Sequence, residues 1–157
     1  MRLELQLYKP VSLRDGRRDG LIYTITDEDL NRIPDEPGIY VFARKFGEII
    51  APLYIGQAKE LFYRVQGQLN NLRLMRGVED AEIGQRMLLY AQFYSRPGQR
   101  LSKALDVIES ALIENALTQG FELLNVQGVK TPTHELAFWG NLTARKTFPR
   151  NMFVRAR

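Results

Sequence analysis

The chain has 157 residues, of which 45% are hydrophobic and 25% charged, and this is enough for one globular domain with its own core. It contains no cysteine and a single histidine, His134, which excludes disulfides, thiolate metal sites and multi-histidine zinc sites within one chain. No apolar run is long enough to span a bilayer, and the N-terminus has no signal-peptide core. We therefore expect a cytoplasmic protein with no membrane partner.

The charge distribution weakly indicates a polyanionic partner. The net charge is +4, and residues 141–157 contain five basic residues and no acidic one. Such a segment can lie on phosphates, but it can equally be a solvated tail.

The first third of the chain reads as short strands and one short helix. Residues 3–8 alternate with period two, which predicts a strand with one buried face. Residues 14–20 are rich in glycine and charge and predict a loop, and residues 21–25 are a strand candidate. Thr26 is typical of a helix N-cap, and the helix it begins should end before Pro34.

An antiparallel hairpin is predicted next. Residues 39–42 and 49–55 are apolar, and residues 45–48 between them can form the turn. Because Pro52 cannot donate a hydrogen bond to a neighbouring strand, it predicts a bulge or an edge position.

Two helices and a buried strand follow. Helical spacing predicts helices over residues 58–69 and, most clearly, over residues 101–118. Residues 70–84 are either irregular or a second short helix, and residues 86–94 predict a buried strand.

The C-terminal third contains weaker signals. Residues 123–126 and 134–139 are strand candidates, and the remainder is predicted to be basic coil. The element order predicts a mixed α/β (α+β) domain with a small, mostly antiparallel central sheet flanked by helices.

Two tripeptides on the predicted hairpin carry the functional signal. Gly38-Ile39-Tyr40 stands on its first strand and Tyr54-Ile55-Gly56 on its second; Arg64, Glu114 and Asn125 follow in order on later elements. This arrangement resembles the GIY-YIG nuclease superfamily, and the segment after the second tripeptide is similar to the nuclease domain of excision-repair endonucleases. The resemblance covers about residues 34–126, with residues 1–33 and 127–157 as N- and C-terminal extensions of one domain.

The resemblance implies a metal-dependent hydrolysis of DNA phosphodiesters. Glu114 would hold one hard divalent cation, Mg²⁺ or Mn²⁺, through oxygen. Arg64 would neutralise charge on the phosphate through its fork of donors. Tyr40 would be the general base, with its pKa lowered by Arg64 and the metal.

Three further residues complete the implied site. Tyr54 would position water or phosphate, Gly56 would let the backbone pass close to the substrate, and Asn125 would orient the site by hydrogen bonding. Taken singly, each of these residues has an ordinary structural explanation; their joint order and spacing favour the functional one. Glu109 is a rival carboxylate on the same helix as Glu114, and we expect it to face solvent or to pair with a neighbouring base.

The sequence departs from the family pattern at two points. Thirteen residues separate Tyr40 from Tyr54, which implies a longer hairpin. Gln68 stands one helical turn after Arg64, where many members carry His or Tyr, and glutamine cannot take a proton at neutral pH. His134 could substitute as a base, although a strand histidine is the simpler interpretation.

Basic residues outside the motif are candidates for substrate contact. Lys59 at the start of the first long helix could reach a phosphate or be solvated, and Arg145 and Lys146 belong to the basic C-terminal segment.

The sequence is compatible with three functions. The first is a DNA endonuclease of a restriction or repair type, whose specificity comes from its own extensions, from a homodimer or from a partner subunit. The second is a catalytically weak or inactive DNA-binding subunit of a larger repair or phage-defence complex. The third is a protein-interaction domain that binds no DNA.

Overall fold

The computed structural model describes residues 2–126, 133–147, 149 and 151–155. The strands are β1 (Glu4–Leu7), β2 (Val11–Ser12), β3 (Arg14–Asp15), β4 (Tyr23–Thr24), β5 (Gly38–Phe46), β6 (Ile49–Ala58), β7 (Gln85–Tyr94), β8 (Thr133–Ala137) and β9 (Asn151–Arg155). The helices are α1 (Asp27–Asn31), α2 (Leu61–Leu69), α3 (Leu72–Asp80) and α4 (Leu101–Thr118), with short 3₁₀ turns at Arg17–Asp19, Leu124–Val126 and Ala144–Lys146.

The central sheet is antiparallel and has the strand order β1-β7-β5-β6, with β2 also paired to β7. β3 pairs with β4, and β8 with β9, as separate two-stranded ribbons. The predicted mixed α/β class with an antiparallel sheet flanked by helices is therefore confirmed. Among the described helices, none is long and apolar enough to cross a membrane.

The two faces of the sheet are covered by different helices. One apolar cluster joins Tyr40 and Phe42 of β5 to Leu61 and Val65 of α2 and to residues of α3. The other joins Ile39 and Ile55 to the apolar side of α4. Since successive strand residues point to opposite faces, the two tyrosines of the motif lie on the α2 and α3 side.

The hairpin β5–β6 forms as predicted but is longer. Gly47 closes its turn with a φ of 58°, a backbone conformation that glycine adopts without steric cost. The register shifts between Phe42 and Ala43 where they face Tyr54 and Pro52, and β6 is the edge strand. Both predicted consequences of Pro52, a bulge and an edge position, are confirmed.

Helix boundaries follow their capping signals. Thr26 accepts a hydrogen bond from the backbone N–H of Asp29 at 3.1 Å, which confirms the predicted N-cap of α1. The first long helix begins at Leu61 rather than at residue 58, because Ala58 is still paired with Gly38 in the sheet. The ambiguous stretch 70–84 contains α3, whose cap Asn71 accepts a hydrogen bond from Leu74 N.

Four local predictions were wrong. Residues 123–126 form a 3₁₀ turn instead of a strand, and residues 14–20, predicted as a loop, contain β3 and a 3₁₀ turn. The C-terminal segment is not all coil, since β9 pairs with β8. The single buried face expected for residues 3–8 is interrupted at Leu7, whose side chain is 84% exposed. Two of these differences come from strand pairing, of β3 with β4 and of β8 with β9, and the 3₁₀ turn is held by side-chain bonds of Asn125 to Ile55.

A candidate active site around two tyrosines

Tyr40 and Tyr54 lie side by side on the α2 face of the sheet. Their ring centroids are 6.2 Å apart and their planes differ by 27°. Tyr40 is buried, at 2% exposure, whereas Tyr54 is half-buried and borders a cleft. The hairpin register brings the two phenols together, because Tyr54 stands opposite Phe42 and Gly56 stands opposite Tyr40.

The structure shows a packing role for Gly56, beside the substrate contact that the sequence predicts. A Cβ atom at position 56 would lie 2.4 Å from both Cζ and the hydroxyl oxygen of Tyr40. The missing side chain of Gly56 is therefore the space that the end of the Tyr40 ring fills. The glycine makes room for a neighbouring phenol, and it is buried.

Gln68 is placed directly on the Tyr40 hydroxyl. Its amide Nε2 donates a hydrogen bond of 2.7 Å to the Tyr40 oxygen. Asn71 Nδ2 in turn donates to Gln68 Oε1 at 3.3 Å, while the Asn71 side-chain oxygen caps α3. The glutamine thus acts as a hydrogen-bond donor to the phenol oxygen.

Burial raises the pKa of Tyr40 above its ordinary value of 10.0, because the phenolate loses its hydration. The hydrogen bond from Gln68 and the positive charge of Arg64 act in the opposite direction, while the nearby phenol of Tyr54 raises the pKa further. The charge of Arg64 therefore acts in the predicted direction, but desolvation outweighs it, and the pKa of Tyr40 in the protein by itself lies above its ordinary value.

Arg64 is exposed on α2, close enough to Tyr40 for its charge to act on the phenol. Lys59 is also exposed, in the turn between β6 and α2. Both side chains leave their cationic groups accessible to an anionic ligand on this side of the sheet.

Asn125 lies beside Tyr54 and is fastened to the edge strand. Its Oδ1 accepts a hydrogen bond of 2.9 Å from the backbone N–H of Ile55, and its Nδ2 donates to the carbonyl oxygen of the same residue at 2.5 Å. Because β6 is an edge strand, these bonds satisfy backbone groups that otherwise have no neighbouring strand. The predicted orienting role of Asn125 takes this form: it joins the 3₁₀ turn Leu124–Val126 to the tyrosine-bearing strand.

Glu114 is exposed on α4, the helix that covers the opposite face of the sheet. The tyrosines lie on the other face, which α2 and α3 cover. A Mg²⁺ ion in proteins is commonly held by one or two carboxylates, several waters and phosphate oxygens of the substrate, so Glu114 would be its one protein ligand here. Within the described ranges, no group of three or more His, Asp or Glu side chains forms a denser metal site.

Glu109 differs from its prediction. It is partly buried and accepts a hydrogen bond of 2.8 Å from Gln57 Nε2, and the same amide nitrogen lies 2.6 Å from Asp106 Oδ1. The Glu109 carboxylate therefore accepts a hydrogen bond from the side-chain amide of Gln57 on β6. It does not simply face solvent, and among the described residues it does not pair with a basic side chain. These contacts attach α4 to β6 and favour a structural role for Glu109.

The other candidates lie away from the tyrosines in sequence. The backbone of His134 is in β8, opposite Val154, and that of Arg145 is in the 3₁₀ turn Ala144–Lys146. The side chains of His134 and Arg145 lie outside the described part of the structure. Lys146 is exposed.

Two residues near the site carried no signal in the sequence. Arg73 and Asn71 line the cleft beside Tyr54 and Asn125, yet both come from the polar stretch 70–84 that had no motif. Their position depends on how α3 folds back on the sheet, which local patterns do not reveal.

Comparisons of the chain with protein-family models, with curated proteins and with solved structures find no match.

Proposed function

We propose that the chain is a divalent-metal-dependent endonuclease that hydrolyses DNA phosphodiester bonds, as its resemblance to GIY-YIG nucleases implies. The observation that carries the proposal is the grouping of Tyr40, Tyr54 and Gln68 next to the exposed Arg64. Phenol oxygens and a guanidinium on one surface are suited to an anionic ester that reacts with water.

Arg64 would bind the non-bridging oxygens of the scissile phosphate and neutralise charge as it develops. Tyr40, as its phenolate, would accept a proton from the attacking water while the water oxygen bonds to phosphorus. The bond between phosphorus and the leaving sugar oxygen breaks, and that oxygen takes a proton from solvent water. Tyr54, half-buried at the edge of the cleft, would hold the water or the phosphate in position.

For Tyr40 to act as a base, its phenolate must be stabilised against burial. The donated hydrogen bond from Gln68 and the charge of Arg64 both favour the phenolate. Glu114 would hold the Mg²⁺ ion, which when bound supplies positive charge to the phosphate oxygens.

The catalytically inactive DNA-binding subunit is the second candidate, and one observation favours it. The Tyr40 hydroxyl is buried, with its pKa raised, and its partner Gln68 cannot relay a proton. In that case the basic charge of the surface would serve binding alone.

Cleavage of supercoiled plasmid in Mg²⁺ or Mn²⁺ separates the two candidates. The wild-type protein should nick or linearise plasmid, and Tyr40→Phe and Glu114→Gln should each lose most of this activity. Glu122→Gln is the matched control for the carboxylate, because Glu122 is also exposed and lies beyond the end of α4.

Each outcome assigns a function. If the plasmid stays intact but the protein still binds DNA in a salt-sensitive manner, the result supports the inactive DNA-binding subunit. Full cutting by Glu114→Gln would disprove the assigned metal ligand, and full cutting by Tyr40→Phe would disprove the assigned base. Specificity would come from a second copy, a partner subunit or the terminal extensions, in a restriction or repair setting.

A further inference from the structure

A cleft adjoins the tyrosine site, and of the residues that line it only Tyr54 takes part in the proposed reaction. It has a volume of about 260 Å³ and lies between α3 and the 3₁₀ turn Leu124–Val126. The described residues that line it are Tyr54, Asn71, Arg73, Leu74, Gly77, Leu124 and Asn125. They include one cation and no carboxylate, so the cleft is suited to a ligand with a single negative charge.

We propose that this cleft binds a nucleotide unit adjacent to the scissile phosphodiester of DNA, with Arg73 holding its phosphate. This inference rests on the proposed function, which places the scissile phosphate at Tyr40 and Tyr54. It extends the site along one strand of the substrate.

Arg73 is the polar group in the cleft that is available to a ligand. Its side chain is exposed, and within the described ranges it makes no ion pair or hydrogen bond that would engage its guanidinium. Other arginines differ: Arg17 and Arg44, for example, each lie within ion-pair distance of a carboxylate. A guanidinium presents a planar set of donors that matches two phosphate oxygens.

The remaining walls are held in place and partly apolar. Asn125 is bonded on both sides to Ile55, and Asn71 is engaged by Leu74 and Gln68, so neither amide is free to turn. Leu74 and Leu124 supply apolar surface for the sugar. A site whose walls are already fixed loses little conformational entropy when a ligand binds.

Because the cleft adjoins the tyrosine pair, its position indicates which part of the substrate it would contact. Tyr54 belongs both to the tyrosine pair and to the cleft wall, and Asn125 fastens the strand that carries it. One strand that places a phosphate at Tyr54 therefore brings a neighbouring nucleotide to Arg73.

The test is equilibrium binding of a short labelled DNA duplex, in chelator and without metal, over a series of salt concentrations. Arg73→Ala should weaken binding about tenfold and reduce the slope of log K against log salt by about one. Arg73→Lys keeps the charge and should retain most of the slope while losing part of the affinity. Arg76→Ala is the matched control, because Arg76 is exposed on the same helix but does not line the cleft.

A second variant tests the cleft without changing charge. A Cβ at Gly77 would lie 3.0 and 3.1 Å from the two terminal carbons of Leu124, so Gly77→Ala must displace that wall. It should weaken binding with the salt slope unchanged, and circular dichroism would show that the fold is kept.

The outcomes separate the two proposals. If the wild type binds DNA and Arg73→Ala behaves like Arg76→Ala, the subsite is refuted and the nuclease proposal stands. If the wild type binds no DNA, both are overturned. The same measurement is made with an RNA duplex of the same sequence. If Arg73→Ala weakens binding of RNA but not of DNA, the assignment of the cleft to DNA is refuted.

Discussion

The contact between Gly56 and Tyr40 makes Gly56→Ala an informative perturbation. The added Cβ would lie 2.4 Å from the Cζ and hydroxyl oxygen of Tyr40 and 2.9 Å from its Cε1. Non-bonded carbon atoms normally stay about 3.5–4.0 Å apart, so the end of the ring must move by more than about 1 Å. Tyr40 is buried and also packs edge-on against Phe42, which leaves the ring little room to retreat.

Two costs combine in the expected loss of stability. Overpacking of a well-packed core costs about 1–3 kcal/mol. Moving the hydroxyl also breaks the hydrogen bond from Gln68, which contributes about 1 kcal/mol. We therefore expect Gly56→Ala to lower the free energy of unfolding by about 2–4 kcal/mol.

Urea denaturation of the variant beside Gly67→Ala measures this effect. Gly67 is exposed within α2, and a Cβ there meets no atom within 4 Å. The same substitution at position 67 should raise stability by about 0.5–1 kcal/mol, because alanine favours the helix. A loss below about 0.5 kcal/mol for Gly56→Ala, or equal effects at both positions, would refute the packing argument.

Two further predictions concern buried polar groups. Because burial raises the pKa of Tyr40, the folded state holds the phenol proton more tightly than the unfolded state does. The stability that this difference contributes is fully present below the pKa of the unfolded tyrosine, about 10, and declines as the pH rises above it. Between about pH 8 and pH 11, the wild type should thus lose more stability in urea than Tyr40→Phe, and parallel losses would contradict the assigned burial effect. Arg86 is 9% exposed and donates hydrogen bonds to five backbone carbonyls of residues 78–84. Arg86→Met should cost more than about 3 kcal/mol in the same assay, whereas Arg76→Met should change stability by less than about 0.5 kcal/mol; a loss below about 1 kcal/mol for Arg86→Met would show that water replaces the guanidinium.

Elements whose signals are local were predicted well from the sequence. The apolar stripe of α4 recurs at helical spacing, and the helix spans Leu101–Thr118 as expected. Thr26 begins α1 through its own side chain, and Pro52 produces a bulge on an edge strand because it has no N–H to donate. For Thr26 and Pro52 the determining group belongs to the residue itself, and the α4 stripe is a continuous pattern along one segment.

Elements that depend on distant partners were not predicted. The 3₁₀ turn Leu124–Val126 replaces a predicted strand, and Asn125 within it bonds to Ile55, seventy residues earlier. Arg86 is a different case, because the carbonyls it binds, in residues 78–84, are close in sequence, yet no pattern in the sequence distinguishes it from a surface arginine. Its bonds depend on how the end of α3 and the following turn fold back on β7, which the residue pattern does not encode.

The same distinction between sequence pattern and tertiary contact applies to the candidate site. The amino-acid sequence determined which residues are candidates for the proposed reaction, Tyr40, Tyr54, Arg64 and Glu114, through their residue types and order. The tertiary structure decided their surroundings: Tyr40 is buried against Gly56 and bonded to Gln68, and Glu114 is carried on the other face of the sheet. Proton affinity and ligand access depend on burial and on neighbours brought together by folding, and these properties exist only once the chain has packed.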